Sequence, residues 1–586
     1  MLFGLMIRLL ANHRVPVAGI VFLQLVQTLG NLLLPTVNAS IIDDGIVPGD
    51  TNTILRLGAV MAAIAAVQAA AALAAGYLGA VVAMRMGRQL RQEVIGKIQS
   101  LSSQEVASFG AQSLVTRTTN DTLQIQSFAV LVFTMLVAAP VMGAGGIVLA
   151  LEQDVALSSV VIVTVPLLMA IMYLIVRRLV PLYRDGQELL DRTGEVLREQ
   201  IIGANIIRAF VRQDHEIHRF AEANGRLTKN NLQSAMLVAG MLPLIMIVVN
   251  LSSVAVVWFG GHRVHAGDMK LGALTAFIAY ILQILLAIMM AMYVLMTGPR
   301  ASVCAERLRA VLDTPSAVVD RYPSEAPASA AVAGQPVFDG GDLSFRNVTF
   351  AYPGAEAPVL EAVSFTARAG TVTAIVGSTG SGKSTLINLL PRFLDATSGH
   401  ITLAGRDIRA MPLDVLRSKM ALAPQRSHLF TGSIADNLRI AAPDAADTEL
   451  WAALETAEAA GFVRELPQQL QAPVGQGGTT LSGGQRQRLC IARALLRHAP
   501  LYLFDDSFSA LDFDTEARLR RSLETALGHA VVIIVAERIS TVAGASQILV
   551  LDDGRLVAEG THRELLETSA TYREIAESQF ASGNMS

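Results

Sequence analysis

The chain predicts an all-α six-helix transmembrane domain followed by an α/β domain of P-loop type. Three observations carry this expectation. The 586 residues are 52% hydrophobic with a mean hydropathy of +0.46, six long apolar stretches all lie in the first half, and a glycine-rich phosphate loop lies in the second. The length exceeds one ordinary domain and the apolar fraction exceeds that of a soluble enzyme, so a membrane-embedded half is the economical explanation. A net charge of −3 offers no basic face to a nucleic acid, so no nucleic-acid partner is expected. Cys304 and Cys490 stand far apart without histidine neighbours at metal spacing, which supports neither a disulfide framework nor a zinc site.

The six stretches free of Asp, Glu, Lys and Arg are residues 16–38, 57–84, 128–151, 155–176, 236–260 and 271–297. Each reaches the roughly 20 residues that the hydrocarbon layer demands. The first is longer than a signal-peptide core and five more follow it, so it is a true span. Arg85, Arg88, Arg91, Lys97 and Arg117 lie between spans two and three, and Arg177, Arg178, Arg184, Arg192, Arg198, Arg208 and Arg212 between four and five. Those connections are cytosolic by the positive-inside rule, and both termini lie on the same side. The connections are too long for turns. Antiparallel helical legs of about 20 residues would reach roughly 30 Å below the bilayer.

Gln24, Gln27 and Asn31 recur at helical spacing in the first span, and Gln68, Asn250 and Gln283 punctuate others. Amides in lipid face protein or a cavity, which leaves two readings open: hydrogen bonds between helices, or contact with a cargo. Met289, Met290, Met292 and Met296 thicken the sixth span. They suit either lipid-facing packing or an adaptable apolar surface. No ionisable side chain lies deep in a span. An apolar or amphipathic small molecule, lipid or peptide is therefore the expected cargo, in contact with the lipid bilayer.

Residues 314–342 turn to Pro, Ala, Ser and Gly without apolar periodicity, which marks a linker between a membrane domain at 1–313 and a second domain at 343–586. In the second domain Gly377, Ser378, Thr379, Gly380, Ser381, Gly382, Lys383 and Ser384 fit G-x-x-x-x-G-K-[ST], between an apolar strand at 372–376 and a helix-forming run at 385–390. Glycines let backbone N–H groups curl around phosphate oxygens at a helix N-terminus, Lys383 reaches the terminal phosphates, and Ser384 can ligate Mg²⁺. The expected ligands are ATP and Mg²⁺.

About a hundred residues downstream stands Leu481-Ser482-Gly483-Gly484-Gln485. Together with six spans and the phosphate loop, this resembles an ABC exporter half-transporter, over essentially the whole chain, and implies an α/β ABC nucleotide-binding domain at 343–586. The resemblance implies further roles. Tyr352 would stack on adenine, and Thr385 would join the phosphate loop. Gln425, in Ala423-Pro424-Gln425, would be the Q-loop residue that senses Mg²⁺ and the attacking water. Asp505, closing the apolar run 501–505, would be the Walker B metal ligand, and Asp512, in Ser509-Ala510-Leu511-Asp512, would belong to the D-loop. Short coupling helices would fall near 104–119 and 203–210. The setting implied is a bacterial cytoplasmic membrane with the nucleotide-binding domain in the cytosol.

Two residues depart from the family pattern. Asp506 stands where a Glu follows the Walker B Asp, and Glu537, in Ala536-Glu537-Arg538, where the switch His is usual. Asp is shorter by one methylene, about 1.5 Å, and an ionised Glu537 would repel a terminal phosphate. In this family two chains bind head to tail, each ATP lying between one chain's Walker motifs and the other's signature. The expectation is a heterodimer in which this chain supplies a hydrolysis-impaired site and an intact signature to a second half-transporter subunit. A homodimer would carry two poor sites. Other readings the sequence permits are an ATP-binding gate that does not pump, and an importer on the exporter fold.

Overall fold

In a computed structural model, residues 2–320 and 341–583 are described. Most of the expected linker, residues 321–340, lies outside them. Two compact units are present, Met1–Gln99 with Gln112–Thr314, and Ser100–Ala111 with Pro315–Ser586.

The first unit is all helix. In chain order the helices are α1 (Leu2–Leu10), α2 (Arg14–Ile41), α3 (Thr51–Ser100), α4 (Ser103–Phe109), α5 (Ala111–Thr116), α6 (Thr122–Leu131), α7 (Ala138–Gln153), α8 (Ser158–Ile202), α9 (Ala204–Ala209), α10 (Gln213–Ala266) and α11 (Leu271–Asp313); α4 falls in the second unit. Among the described residues six helical segments are long and apolar enough to cross a membrane, in agreement with the sequence. They run well past the charge-free stretches. The 54 residues of α10 extend to roughly 80 Å, because charged residues on the cytosolic legs end the hydrocarbon match without ending the helix.

Two features were not expected. The amphipathic α1 buries Leu2, Leu5, Met6 and Leu9 in one cluster with Met86, Leu90, Val94 and Leu308, and its Arg8 pairs with Glu93 at 2.7 Å. The third span is not one regular helix but α6 and α7 joined through a π-helical turn, Val132–Leu136. The coupling segment expected at 104–119 is also shorter than that: α4 ends at Phe109, and after Gly110 a separate helix begins at Ala111.

The buried amides favour the interhelical reading. Asn31 is a node: its backbone oxygen accepts from Gln283 Nε2 (2.8 Å), its Oδ1 from Gln68 Nε2 (3.5 Å), and its Nδ2 approaches Met142 Sδ (3.7 Å). One residue of α2 thereby ties α3, α7 and α11. Asn250 is instead exposed, and Met289 and Met292 pack half-buried against the core of the bundle.

Among the described residues the second unit holds twelve strands: β1 (Leu343–Phe350), β2 (Leu360–Ala367), β3 (Val372–Gly377), β4 (Ser398–Leu403), β5 (Arg406–Asp407), β6 (Met420–Ala423), β7 (Gly432–Ser433), β8 (Pro473–Val474), β9 (Leu501–Asp505), β10 (Val531–Val535), β11 (Gln547–Asp552) and β12 (Arg555–Gly560). Four form a sheet of order β2-β1-β4-β5, six the order β12-β11-β3-β10-β9-β6, and β7 pairs with β8. In the six-stranded sheet β11, β3, β10, β9 and β6 run parallel and only β12 is antiparallel. The continuous apolar runs 501–504 and 531–535 are buried on both faces, as central parallel strands require.

Candidate functional site

The sheet order creates the site. β10 lies between β3 and β9, with Val535 opposite both Ile375 and Asp505. Their carboxyl ends are therefore level, and three segments leave the sheet side by side: the phosphate loop after β3, Asp505-Asp506 closing β9, and Glu537 two residues beyond β10. A crevice beyond the carboxyl ends of parallel strands is the general ligand position in open α/β sheets.

The phosphate loop needs its glycines. Gly377 has φ +157°, and a Cβ there would stand 2.1 Å from the Leu551 carbonyl oxygen, a distance no side chain tolerates. Gly382 has φ +96° and is closed in by Leu360 and the Val359 oxygen. Lys383 opens the following helix, Lys383–Leu389, and its Nζ donates to the backbone oxygens of Gly377 (2.9 Å) and Ser378 (2.8 Å). Ser384 Oγ donates to Asp505 Oδ1 at 3.2 Å, which brings the two expected metal ligands together. Ser381 Oγ is buried and has no hydrogen-bond partner among the described residues. An orphaned hydroxyl, an ammonium resting on its own loop and a paired hydroxyl and carboxylate fit a phosphate chain with a hard cation.

Electrostatics set this crevice apart. Burial pushes the Lys383 ammonium below its ordinary range, opposed first by the charge of Glu537 and then by Asp506 and Asp505. Burial raises Asp505, with Asp506 adding to it and Ser384 and Lys383 opposing. Asp506 is raised by burial, and further by the charge of Glu537, against hydrogen bonds from Ser509 and the Glu537 backbone. Three carboxylates thus share one lysine. Asp506 also sits in the left-handed region at φ +46°, a conformation that Asp tolerates better than longer side chains, and its N–H bonds to the Val535 oxygen at 3.0 Å.

Of the remaining expected residues, Gln425 leaves the sheet beside the Asp505 segment, since β6 runs parallel to β9 with Ala423 opposite Phe504; the others stand on elements other than β3, β9 and β10. Tyr352 is exposed and edge-on to Phe350 (4.9 Å between centroids). Gln425 is exposed at the bend after β6. In the signature, Ser482 Oγ caps the helix Gly483–Leu495 by accepting from the Gln485 N–H (3.3 Å), while Gln485 Oε1 accepts from the Ser482 N–H (2.9 Å). Leu481 is half-buried, and its oxygen accepts from Arg486 (2.7 Å). Gly483 and Gly484 pack against Ala510 and Leu511. Asp512 caps the next helix through the Thr515 N–H (2.9 Å), a bond that holds its carboxylate below the usual range. Sequence reading missed Gln487. Buried on the signature helix, it accepts from the Ala510 N–H (3.0 Å) and donates to Ser509 Oγ (3.3 Å), and Ser509 Oγ in turn donates to the Asp506 oxygen (3.0 Å). Its place two residues beyond the motif was the available signal.

Fold and site define an integral membrane protein with a cytosolic P-loop nucleotide-binding domain. Residues 17–289 match the family model of the ABC transporter transmembrane region, and residues 360–509 match that of the ABC transporter. The chain belongs to the ABC transporter family and has the exporter half-transporter architecture, a kind of protein that works as a dimer in the membrane. Among its relatives is an uncharacterized ABC transporter ATP-binding protein of Mycobacterium tuberculosis, 45% identical over 100% of this chain and 99% of that protein. Another is an ATP-dependent lipid A-core flippase of Chromobacterium violaceum, 30% identical over 92% and 91%. A bacterial Atm1-family ABC exporter solved with ATP bound superposes with a TM-score of 0.78 at 25% identity, over 96% of this chain and 97% of that one.

Proposed function

We propose that the chain is one subunit of a heterodimeric ATP-driven exporter of amphipathic molecules in a bacterial cytoplasmic membrane, and that its own ATP site mainly holds nucleotide while its signature serves the partner's site. The observation that carries this is the level exit of three segments from the sheet, the phosphate loop after β3, Asp506 after β9 and Glu537 after β10, with Asp506 and Glu537 where a Glu and a His are the family norm.

In this reading the phosphate loop from Gly377 to Ser384, with Thr385, binds the phosphate chain and Tyr352 the adenine. Ser384, Asp505 and Gln425 would hold Mg²⁺, which supplies positive charge against the phosphates. Asp506 is one methylene too short to orient water as a Glu would, and Glu537 adds negative charge where a His would donate a hydrogen bond. Both changes spare binding more than cleavage. Leu481, Ser482, Gly483, Gly484 and Gln485, capped and glycine-backed, are formed independently of that crevice and can face a second chain's ATP together with the D-loop Asp512. Ile202, Ile206, Phe210 and Val211 around α9 are all exposed, an apolar patch consistent with a second subunit. The lipid A-core flippase likeness supports an amphipathic, lipid-like cargo.

Transport into inside-out vesicles by the assembly purified from its own membrane tests the proposal. ATP-dependent accumulation of a fluorescent amphiphile against its gradient is expected. Equilibration without accumulation would leave only a gate.

A further inference from the structure

The C-terminal helix, Ala570–Gly583, is tied to the segment that carries Glu537. Tyr572 and Ala576 anchor it in the core, and Tyr572 Oη meets His562 Nδ1 at 2.7 Å. One turn further, Gln579 uses both ends of its amide on the same short stretch of backbone. Nε2 donates to the Glu537 oxygen at 2.7 Å, and Oε1 accepts from the Ile539 N–H at 2.8 Å. Ile539 begins a four-residue helix, Ile539–Val542, whose cap residue Arg538 gives no side-chain acceptor. Its first N–H is thus an orphan that Gln579 satisfies from another element. A carboxamide carries its donor and its acceptor on separate atoms, and Gln579 uses them on the Glu537 oxygen and the Ile539 N–H.

From this geometry we propose that Gln579 is a positioning residue for the nucleotide site: the C-terminal helix holds Glu537 against the phosphate loop and so lowers the preference of this chain for a triphosphate over a diphosphate. The inference rests on the ATP-binding reading of this crevice. The clamped backbone lies just beyond β10, whose end is level with the ends of β3 and β9, which keeps the charge of Glu537 beside the phosphate-loop lysine Lys383. A terminal phosphate drawn to Lys383 meets that carboxylate, whereas a diphosphate lacks the group that meets it. When the clamp is released, the switch segment and its carboxylate can withdraw.

The test measures Mg-ATP and Mg-ADP affinities on the full-length chain in lipid nanodiscs, for the parent, Gln579→Leu, Glu537→Ala and the double variant, with thermal unfolding recorded for each. Because directly contacting residues couple strongly, Gln579→Leu should raise the ATP-to-ADP affinity ratio at least about threefold. Glu537→Ala should raise it too, and Gln579→Leu in that background should add nothing. A purely structural role for Gln579 would weaken both nucleotides equally and persist without Glu537, and this result would overturn the inference, as would an unchanged ratio. If the parent binds neither nucleotide, the ATP-binding reading itself falls, and the inference with it.

Discussion

Lengthening one side chain should speed hydrolysis by this chain acting alone. Asp506→Glu extends the carboxylate by one methylene, about 1.5 Å. A misplacement of that order at a reacting centre costs roughly a hundredfold, or about 3 kcal/mol of barrier. The left-handed backbone at Asp506, φ +46°, makes the longer residue less comfortable by about 1 kcal/mol, a cost charged to folding rather than to chemistry. Adding Glu537→His removes one of the three carboxylates around Lys383 and supplies a donor. The assay is phosphate release under single-turnover conditions from the purified full-length chain in nanodiscs. Its dimers should carry two intact signatures and two poor Walker sites. The parent should be slow, Asp506→Glu faster by up to about two orders of magnitude, and the double variant faster still. A parent that already turns over briskly, and gains less than about threefold from either change, would refute the reasoning.

Other consequences follow from the same geometry. Asp506 is raised from its ordinary 3.8 by burial and by Glu537, so its contribution to the stability of the nucleotide-free chain is present below that pH and lost as pH rises through the raised value. Thermal unfolding without nucleotide should therefore show Asp506→Asn gaining on the parent as pH increases, and a constant offset would count against the shift. Asn31→Leu should destabilise the bundle by about 1 kcal/mol in denaturant titrations of the reconstituted protein, since it removes the side-chain acceptor of Gln68 and keeps only the backbone acceptor of Gln283; no loss would mean that the side chain of the node is dispensable. Phe210→Glu, on the exposed α9 tip, should lower transport-coupled ATP turnover of the assembly while leaving this chain's ATP affinity unchanged. Full coupling in that variant would remove the patch from the account.

Sequence reading went furthest where chemistry demands a fixed local order. The phosphate loop, the strand ending in Asp505 and the capped signature helix each depend on near neighbours, so spacing alone exposed them. The six spans were equally visible, because hydrocarbon tolerates so few charges. Helix ends were not, since a charge-free window measures the membrane rather than the helix, and α3, α8 and α10 continue through Arg-rich legs. The four buried positions of α1 follow a helical repeat that was present but short. Long-range contacts left no local trace: Gln579 lies 42 residues from Glu537, and only the folded sheet brings its helix to the switch segment. Gln487 is an intermediate case, adjacent to a recognised motif yet identified by its burial.

The most direct test of the division of labour is the chemical state of nucleotide on this chain within the working assembly. Photoaffinity labelling with an azido-ATP carrying labels at the α and γ phosphates, on the complex purified from its native membrane during turnover, reports it. The account predicts two different half-transporter subunits, with the γ label retained on this one and lost from its partner. Loss of the γ label from this chain at the full turnover rate, in an assembly of two identical copies, would contradict it.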